Sequence, residues 1–278
     1  MTKELQLKIR RAIRLLQSIE ADEIELCYSG GKDSDVILEL AKMAGIKYRP
    51  IYKNTTIDPP GTIAHVKSKG VEIHQPKERF FYIIQKKGFP TRRARFCCTD
   101  MKEYKILDFA IQGIRRCESK KRKEIYSANE PIKCRIYGSK KNHVNVILPI
   151  LSWSDNDIKE FISERNIKCH PLYYDNQGKF HVERRLGCLG CPLQADRGLS
   201  DFIQYPNLVK AWIKYGQKWL DTHPNAASHK KFETIYDLFY HNVFCKSYSD
   251  YSLLKSVDLW GKTPNFKLFL ESFFNIKL

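Results

Sequence analysis

The segment Cys27-Tyr-Ser-Gly-Gly-Lys-Asp-Ser34 constrains the fold of this 278-residue chain more than any other. The preceding run, Glu23–Tyr28, predicts a short strand that leads directly into the glycines, and helical spacing resumes over Val36–Ala44. Glycines let the backbone approach an anion closely, and the N-terminus of a helix directs N–H groups and its positive dipole end toward that anion. A strand, a glycine-rich turn and a helix in this order therefore predict a phosphate-binding loop, with a plain strand-to-helix turn as the alternative.

The length and the hydrophobic pattern indicate a globular α/β protein. A chain of 278 residues is enough for one large α/β domain, or for such a domain with a smaller helical one. No run of about 18 apolar residues is present, so we expect no membrane partner. The N-terminal Met-Thr-Lys-Glu-Leu-Gln lacks the apolar block of a signal peptide. We therefore expect a cytoplasmic protein.

The net charge of +17 predicts an anionic partner. A basic balance of this size is typical of proteins that bind DNA or RNA. The charge is spread along the chain, and its densest run, Lys120–Lys123, is short. A solvated surface combined with a site for small phosphates is therefore the alternative.

Strand and helix patterns alternate over the first two thirds of the chain. The predicted strands are 23–28, 48–53, 71–74 and 144–149, and the predicted helices are 4–19, 36–44, 60–69, 101–112 and one that begins at 154. This alternation predicts a parallel sheet with helices on both faces. After about residue 195, aromatic-rich helical patterns follow at 208–220, 232–244 and 265–274. We expect a nucleotide-binding domain over 1–195 and a helical C-terminal region over 196–278.

The loop itself carries the groups that a phosphate site needs. Lys32 supplies a cation, and Ser29 and Ser34 supply hydroxyl donors. It is not a Walker A loop, because the pattern Gly-x-x-x-x-Gly-Lys-Ser/Thr is absent. It resembles the PP-loop, Ser-Gly-Gly-x-Asp-Ser, of the ATP pyrophosphatase superfamily, whose members typically bind the pyrophosphate end of ATP and form an adenylated substrate. The candidate nucleotide-binding residues of the loop are Ser29, Gly30, Gly31, Lys32, Asp33 and Ser34.

Further motifs follow the loop in a fixed order. They are 54–60, 95–100, 113–119 with Arg122, 148–153, 170–173 and 186–192. In this order they resemble the phosphoadenylylsulfate reductase family from about residue 20 to 195. The resemblance implies an adenine-nucleotide alpha-hydrolase-like domain with a five- or six-stranded sheet. It also implies that Arg115, Glu118, Ser119 and Arg122 line the nucleotide site, which suits the bidentate binding of phosphate or sulfate by arginine. A solvated loop is the alternative for the arginines.

Nine cysteines are many for a reducing compartment, where metal binding or thiol chemistry is more common than disulfides. The adjacent Cys97 and Cys98 and the pair Cys188-x-x-Cys191 supply four thiols for zinc or an iron–sulfur cluster. Adjacent cysteines rarely both chelate one zinc ion, whereas a cubane with separate iron corners tolerates them. The arrangement is similar to the cluster signature of the adenylylsulfate-reducing branch and of the ATP pyrophosphatases of DNA phosphorothioation. We therefore expect a [4Fe–4S] cluster, with zinc and free thiols as alternatives.

One family motif is missing. Reductases of this family carry their nucleophilic thiol in a Glu-Cys-Gly-Leu-His motif near the C-terminus. This chain ends Phe-Phe-Asn-Ile-Lys-Leu278, and its last cysteine, Cys245, lies in an unrelated setting. The departure argues against reduction of a sulfonucleotide.

The remaining hypothesis is substrate activation. ATP and Mg²⁺ would bind on the loop, an oxygen of DNA or RNA would attack the α-phosphorus, and pyrophosphate would leave. A sulfur donor, loaded by a desulfurase partner, would then displace AMP. Lys32 and Arg115 are the expected catalytic residues, acting by charge stabilisation. The alternatives are an adenylylsulfate or phosphoadenylylsulfate reductase and a nucleotide-binding module without turnover.

Overall fold

The computed structural model describes residues 1–137, 142–256 and 264–278. Packing divides the chain into two compact units, one formed by 1–76 and 99–187 and the other by 77–98 and 188–278. The domains predicted at 1–195 and 196–278 stay a prediction. Residues 138–141 of the first and 257–263 of the second lie outside the described residues.

The first unit is built on a six-stranded sheet with the strand order β3-β2-β1-β4-β6-β5. The strands are β1 Glu25–Tyr28, β2 Arg49–Lys53, β3 Glu72–His74, β4 Phe109–Ile111, β5 Ile132–Tyr137 and β6 Asn142–Ile147. Adjacent strands pair in parallel except for β5, which runs antiparallel to β6. The predicted α/β fold with a mostly parallel sheet is confirmed.

Helices account for most of the remaining chain. Those of the described residues are α1 Lys3–Gln17, α2 Lys32–Ala44, α3 Thr62–Ser68, α4 Phe80–Lys87, α5 Phe96–Met101, α6 Lys120–Ile125, α7 Asp155–Glu164, α8 Leu199–Gln204, α9 Pro206–Thr222, α10 Ile235–Phe244, α11 Tyr248–Ser256 and α12 Phe266–Phe274. Local sequence explains several of their ends. Thr2 caps α1, and Ser154 forms a reciprocal capping box with Asp157 at the start of α7. No helix within these residues is long and apolar enough to span a bilayer.

The sheet of the first unit is covered on both faces. Successive side chains of a strand point to opposite faces. In β4, Ala110 belongs to one buried apolar cluster and Ile111 to another, and Val146 and Ile147 of β6 divide in the same way. The larger cluster includes the apolar faces of α1, α2 and α7, and the smaller one includes Tyr126, directly after α6. This is the layered arrangement that the alternating pattern predicted.

One predicted element is wrong. The pattern over 101–112 predicts a helix, but Met101 ends α5 and Phe109–Ile111 forms β4. Ala110 and Ile111 are fully buried between neighbouring strands. A short apolar run of this kind has no period of two, so that it cannot be separated from a buried helical turn by pattern alone.

The second unit is helical and has an aromatic core. The ring of Phe202 lies 5.4 Å from that of Trp212 and 5.1 Å from that of Phe239. Phe89 lies 5.2 Å from Trp212, and a Cβ at Gly216 would come within 2.5 Å of Phe89, so that this turn of α9 admits only glycine. The predicted helices at 208–220, 232–244 and 265–274 correspond to α9, α10 and α12.

Candidate functional site

The glycine-rich loop lies in the first unit, between the end of β1 and the start of α2. Gly30 has φ +79°, and a Cβ there would lie 3.1 Å from Leu186 and 3.3 Å from Thr62. Gly31 is the N-cap of α2 and has no side chain to cap it. The Ser34 hydroxyl donates to the Gly31 carbonyl at 2.7 Å, which holds the turn closed. The first turn of α2 is therefore shaped by backbone and hydroxyl groups, as an anion site requires.

Lys32 is held against the loop. Its side chain is buried, and Nζ lies 3.3 Å from Asp33 Oδ2 and 3.4 Å from the Arg184 carbonyl. The ammonium also lies 5.4 Å from the centre of the Tyr173 ring. A carboxylate, a carbonyl and an aromatic face thus compensate the burial of this cation.

Arg115 is linked to the loop through Asp33. It is 1% exposed, its Nε donates to Asp33 Oδ1 at 2.7 Å, and its Nη1 lies 2.9 Å from Asp155. Burial opposes the charge of Arg115, but the carboxylates of Asp33 and Asp155 outweigh it and raise its pKa. The guanidinium therefore fixes the orientation of Asp33 at the start of α2.

A cavity of about 180 Å³ opens onto the loop. Its walls are Cys27, Ser29, Gly31, Lys32, Asp33, Ser34, Gly113, Glu118, Arg122, Tyr173, Arg185 and Leu186. Two larger clefts open elsewhere on the first unit, but the loop lines neither of them. The structure thus brings together the loop and two of the residues that the family resemblance suggested.

Two arginines share one carboxylate at the wall of this cavity. Arg122 pairs with Glu118, and Arg185 Nη2 lies 3.4 Å from the other oxygen of the same carboxylate. Burial and the neighbouring Arg185 lower the pKa of Arg122. Ser119 does not line the cavity; its hydroxyl caps α6 by accepting from the Arg122 backbone N–H at 3.2 Å. The wall therefore has an excess of positive charge that a bound anion would relieve.

Sequence reasoning missed Tyr173, Gly113 and the role of Arg185 in this wall. Tyr173 accepts the Leu186 N–H at 3.2 Å, and a Cβ at Gly113 would lie 2.9 Å from the Asp33 carbonyl. The available signals were the His170-Pro-Leu-Tyr173 motif and the arginine pair before Leu186. Neither is specific, because only the fold shows that these loops return to the end of β1.

A buried polar network lies behind the loop and was also missed. The Tyr28 hydroxyl donates to Asp35 Oδ1 at 2.5 Å, and His65 Nε2 lies 3.2 Å from both Asp35 oxygens. Lys69 Nζ lies 3.7 Å from Asp35, and the His170 ring meets His65 edge-on at 5.7 Å. These contacts tie β1 and the first turn of α2 to α3, so that the loop has a rigid support.

The four cysteines expected to bind a cluster all lie in the second unit. Cys97, Cys98, Cys188 and Cys191 are each partly buried. A hydrogen bond with Cys98, burial and the nearby Cys188 and Cys191 together raise the pKa of Cys97 well above the usual range. Arg95 Nη2 lies 3.8 Å from Cys98 Sγ. Among the described residues, no three His, Cys, Asp or Glu side chains are arranged as a metal-binding group.

The donor set has the chemistry that a cluster needs, because four cysteine thiolates are the usual ligands of a [4Fe–4S] cluster. Thiols that influence each other's ionisation resist becoming thiolates together, and a bound cation removes that resistance. Cys27, by contrast, lines the cavity at the loop, where burial and Glu25 raise its pKa to about 12. It is a neutral thiol beside the loop.

The phosphoadenosine phosphosulfate reductase domain matches residues 23–194, more than half of the chain. This protein belongs to that family. The matched range contains the loop, the 115–122 segment and all four candidate cluster cysteines. The family resemblance drawn from the motifs is thereby confirmed.

Curated relatives match parts of the chain. An uncharacterized protein of Methanocaldococcus jannaschii is 27% identical over 208 residues, 68% of this chain and 46% of its own length. A tRNA-cytidine(32) 2-sulfurtransferase of Marinobacter nauticus is 30% identical over 118 residues, 39% of each chain. A phosphoadenosine 5'-phosphosulfate reductase of Buchnera aphidicola is 36% identical over 76 residues, 26% of this chain and 27% of its own. The chain thus spans less than half the length of these relatives.

Solved structures are similar at low identity. An FMN adenylyltransferase of Candida glabrata, in complex with FAD and pyrophosphate, has a TM-score of 0.47 at 16% identity, covering 67% of this chain and 63% of that one. A U34-tRNA thiolase of Methanococcus maripaludis with its [4Fe–4S] cluster has a TM-score of 0.41 at 12% identity, covering 93% and 86%.

Proposed function

We propose that this protein is an ATP pyrophosphatase that adenylates a nucleic acid for sulfur transfer and holds a [4Fe–4S] cluster. The observation that carries the proposal is the cavity that five residues of the loop line together with Arg122 and Arg185; the five are Ser29, Gly31, Lys32, Asp33 and Ser34. A loop shaped for phosphate and a cationic wall opposite it suit the polyphosphate of ATP. Membership of the reductase-domain family supports an adenine-nucleotide substrate.

The proposed reaction assigns a role to each group. The loop and Lys32 bind the β- and γ-phosphates of MgATP, while an acceptor oxygen attacks the α-phosphorus. The bond between the α-phosphorus and the bridging oxygen breaks, and pyrophosphate leaves with the electron pair. Lys32 touches the nucleotide and stabilises the developing charge. Arg115, expected to be catalytic, acts by positioning Asp33, because its guanidinium contacts that carboxylate.

The same proposal extends to the remaining members of the site. Ser29, Gly30, Gly31, Asp33 and Ser34 shape the loop, Glu118 orients Arg122, and Ser119 caps the helix that carries Arg122. Each of these side chains or backbone groups either lines the cavity or supports a residue that does. The nucleotide therefore contacts the Gly31 backbone, Lys32 and Arg122 most directly.

A nucleic-acid acceptor is supported by charge and by relatives. The chain carries a net charge of +17, and part of it is similar to tRNA-cytidine 2-sulfurtransferases, whose name assigns them a tRNA substrate. A desulfurase partner would load the sulfur that displaces AMP.

The proposed cluster is held by Cys97, Cys98, Cys188 and Cys191. When bound, a [4Fe–4S] cluster supplies redox-active iron with affinity for sulfur. The rest of the proposed chemistry, nucleotide binding and charge stabilisation, belongs to the first unit and its own residues.

Sulfonucleotide reduction is the second candidate, and the similarity to a Buchnera reductase favours it. It needs an accessible nucleophilic thiol. Cys245, the last cysteine of the chain, is 2% exposed, and burial raises its pKa. A buried thiol with a raised pKa is a poor nucleophile, so that Cys245 is a poor candidate for the thiol that reduction requires.

The test uses anaerobically purified protein with MgATP, with and without tRNA or DNA, and measures AMP and pyrophosphate. We expect nucleic-acid-stimulated release of pyrophosphate that falls by about 100-fold or more in Lys32→Ala. Lys42→Ala is the matched control, since Lys42 is exposed on the same helix. Absence of pyrophosphate under every condition contradicts the proposal. Thiol-dependent sulfite release from adenylylsulfate would then identify a reductase, and tight ATP binding without turnover would identify a binding module.

A further inference from the structure

Two helices of the second unit present a basic and aromatic face. Helices α4 and α9 pack side by side, with Phe80 5.6 Å from Trp212 and Phe81 stacked on Tyr215 at 5.2 Å. Their outward side carries what we call the α4–α9 surface. It consists of Arg79, Tyr82, Lys210, Lys214, Tyr215 and Lys218.

Three lysines form a row along this surface. Lys210, Lys214 and Lys218 are four residues apart, which places them on one side of α9 at steps of about 6 Å. The opposite side of the helix is buried through Val209, Ile213 and other apolar residues. All three lysines are exposed, and none forms an ion pair with another residue that the structure describes. Their charge is therefore directed to solvent or to a partner.

An exposed aromatic ring lies beside the lysine row. Tyr82 is 51% exposed, and its ring lies 6.0 Å from that of Tyr215. Lys218 Nζ lies 5.3 Å from the centre of the Tyr215 ring, so that the row and the aromatic pair are continuous. The aromatic ring of Tyr82 is therefore available for contact with a partner, next to the positively charged lysines.

The acidic groups on the two helices do not neutralise this face. Glu78, before α4, pairs with Lys86. Asp221, one turn beyond Lys218, accepts from Gln217 Nε2 at 2.7 Å. Arg79 shares the side of α4 that carries Tyr82, because the two are three residues apart.

We propose that the α4–α9 surface binds RNA, with the lysine row on the phosphodiester backbone and Tyr82 stacked on an unpaired base. Rows of lysines bind phosphates without reading sequence, whereas exposed aromatic rings stack on bases that are free of a duplex. RNA recognition commonly targets single-stranded loops of folded molecules, and duplex DNA offers no such base. This inference rests on the proposed nucleic-acid acceptor and gives it a docking site.

The experiment measures binding of full-length protein to a fluorescent tRNA transcript, without ATP, at several salt concentrations. Lys210→Ala/Lys214→Ala/Lys218→Ala removes the row, and alanine keeps an exposed helix stable. The matched control, Lys230→Ala/Lys246→Ala/Lys277→Ala, removes the same charge from other exposed positions of the second unit. The slope of log K against log salt is negative for such binding. We expect the row variant to reduce the magnitude of this slope by about two to three, and the control to reduce it by less than about one. Equal slopes in the two triple variants overturn the proposal.

Tyr82→Ala tests the stacking contact separately. We expect about a tenfold loss of affinity for the tRNA and no loss for a blunt RNA duplex. Equal losses on both RNAs contradict the stacking role, and unchanged tRNA affinity does as well. Equal affinity for duplex DNA and for tRNA in the unmodified protein contradicts the assignment to RNA.

The two proposals fail in different ways. Because the binding experiment contains no ATP, Lys32→Ala keeps tRNA affinity if the surface is correct. If tRNA binds through the lysine row but no pyrophosphate is released, the proposed function is overturned and the RNA-binding surface stands. If RNA stimulates pyrophosphate release equally in both triple variants, the RNA-binding surface is overturned and the proposed function stands.

Discussion

At the scale of the residue, the first unit buries charges in matched groups. Arg115 lies between Asp33 and Asp155, and Lys53 Nζ lies 3.0 Å from Glu25 Oε1. A buried charge is costly when it is left alone and tolerable when a partner is in contact. These groups therefore fix the geometry of β1 and α2 more than they add to stability.

Arg115→Met tests this arrangement. We expect the free energy of unfolding in urea to fall by about 3 kcal/mol, because Asp33 loses its buried partner. Asp155→Asn is the control and should cost less than about 1 kcal/mol, since Asp155 is 56% exposed and water can replace the contact. Equal losses of unfolding free energy in the two variants would contradict a special cost of breaking the contact between Arg115 and Asp33.

His170 predicts a pH dependence of stability. Its Nδ1 accepts the Leu172 N–H at 3.1 Å, and burial, followed by the nearby His65, lowers its pKa. The unfolded chain therefore binds this proton more readily, and the free energy of unfolding should fall as the pH drops below about 6.5. The stability that the neutral ring contributes is fully present above that pH.

The variant His170→Asn should weaken this dependence, because an amide oxygen accepts the same N–H without titrating. Urea unfolding at two pH values, one on each side of about 6.5, measures the change. Part of the decline should remain through His241, whose pKa burial also lowers. The control is His143→Asn, at an exposed position of β6, which should leave the decline in stability unchanged. An identical decline in the unmodified protein and in both variants would argue against a role of His170.

At the scale of the element, the turn between β1 and α2 decides the site. Gly30 and Gly45 flank α2, with φ +79° and +65°. A Cβ at Gly45 would meet nothing within 4 Å, whereas one at Gly30 would press on Leu186 and Thr62. Both glycines have a positive φ, but only at Gly30 would an added Cβ also press on neighbouring side chains.

Gly45→Ala and Gly30→Ala separate these requirements. Each should lose about 1 kcal/mol of stability from the left-handed backbone. Only Gly30→Ala should also weaken ATP binding, by about tenfold or more, because relief of the contacts moves the loop. Calorimetric titration with ATP measures the difference, and equal affinities in the two variants would contradict it.

At the scale of the whole molecule, the chain crosses between two compact units more than once. Residues 77–98 leave the first unit and join 188–278 in the second. The cysteine pairs at 97–98 and 188–191 lie where these segments begin and end. A group bound by all four cysteines would therefore crosslink both segments of the second unit.

Iron loading tests this role. Anaerobic protein should contain about four irons per chain, and Cys98→Ser should lose most of them. Cys134→Ser, at an exposed cysteine of β5, should keep them. Chelation of the iron should lower the thermal stability of the unmodified protein and leave Cys98→Ser unchanged. Zinc in place of iron would support the alternative metal, and full iron in Cys98→Ser would contradict the ligand set.

Several elements could be predicted because their signals are local. The helix at 4–19, the loop at Ser29–Ser34 and the C-terminal helices follow from apolar period, glycine position and capping residues. The helix expected over 101–112 was wrong, and α4 and β5 were not expected, since short or edge elements depend on neighbours that the pattern does not contain.

The sequence by itself determined the family, the alternation that produces the sheet, and the glycine-rich turn at Ser29–Ser34, because each depends on residue types at fixed spacing. Only the tertiary structure decided which distant segments reach the cavity at the loop. Tyr173 and Arg185 lie more than a hundred residues from the loop in sequence, and they nevertheless line the same cavity. The structure likewise decided that Arg115 contacts Asp33 and that Tyr82 lies beside the α9 lysines, since pairings between segments come from packing and not from local pattern.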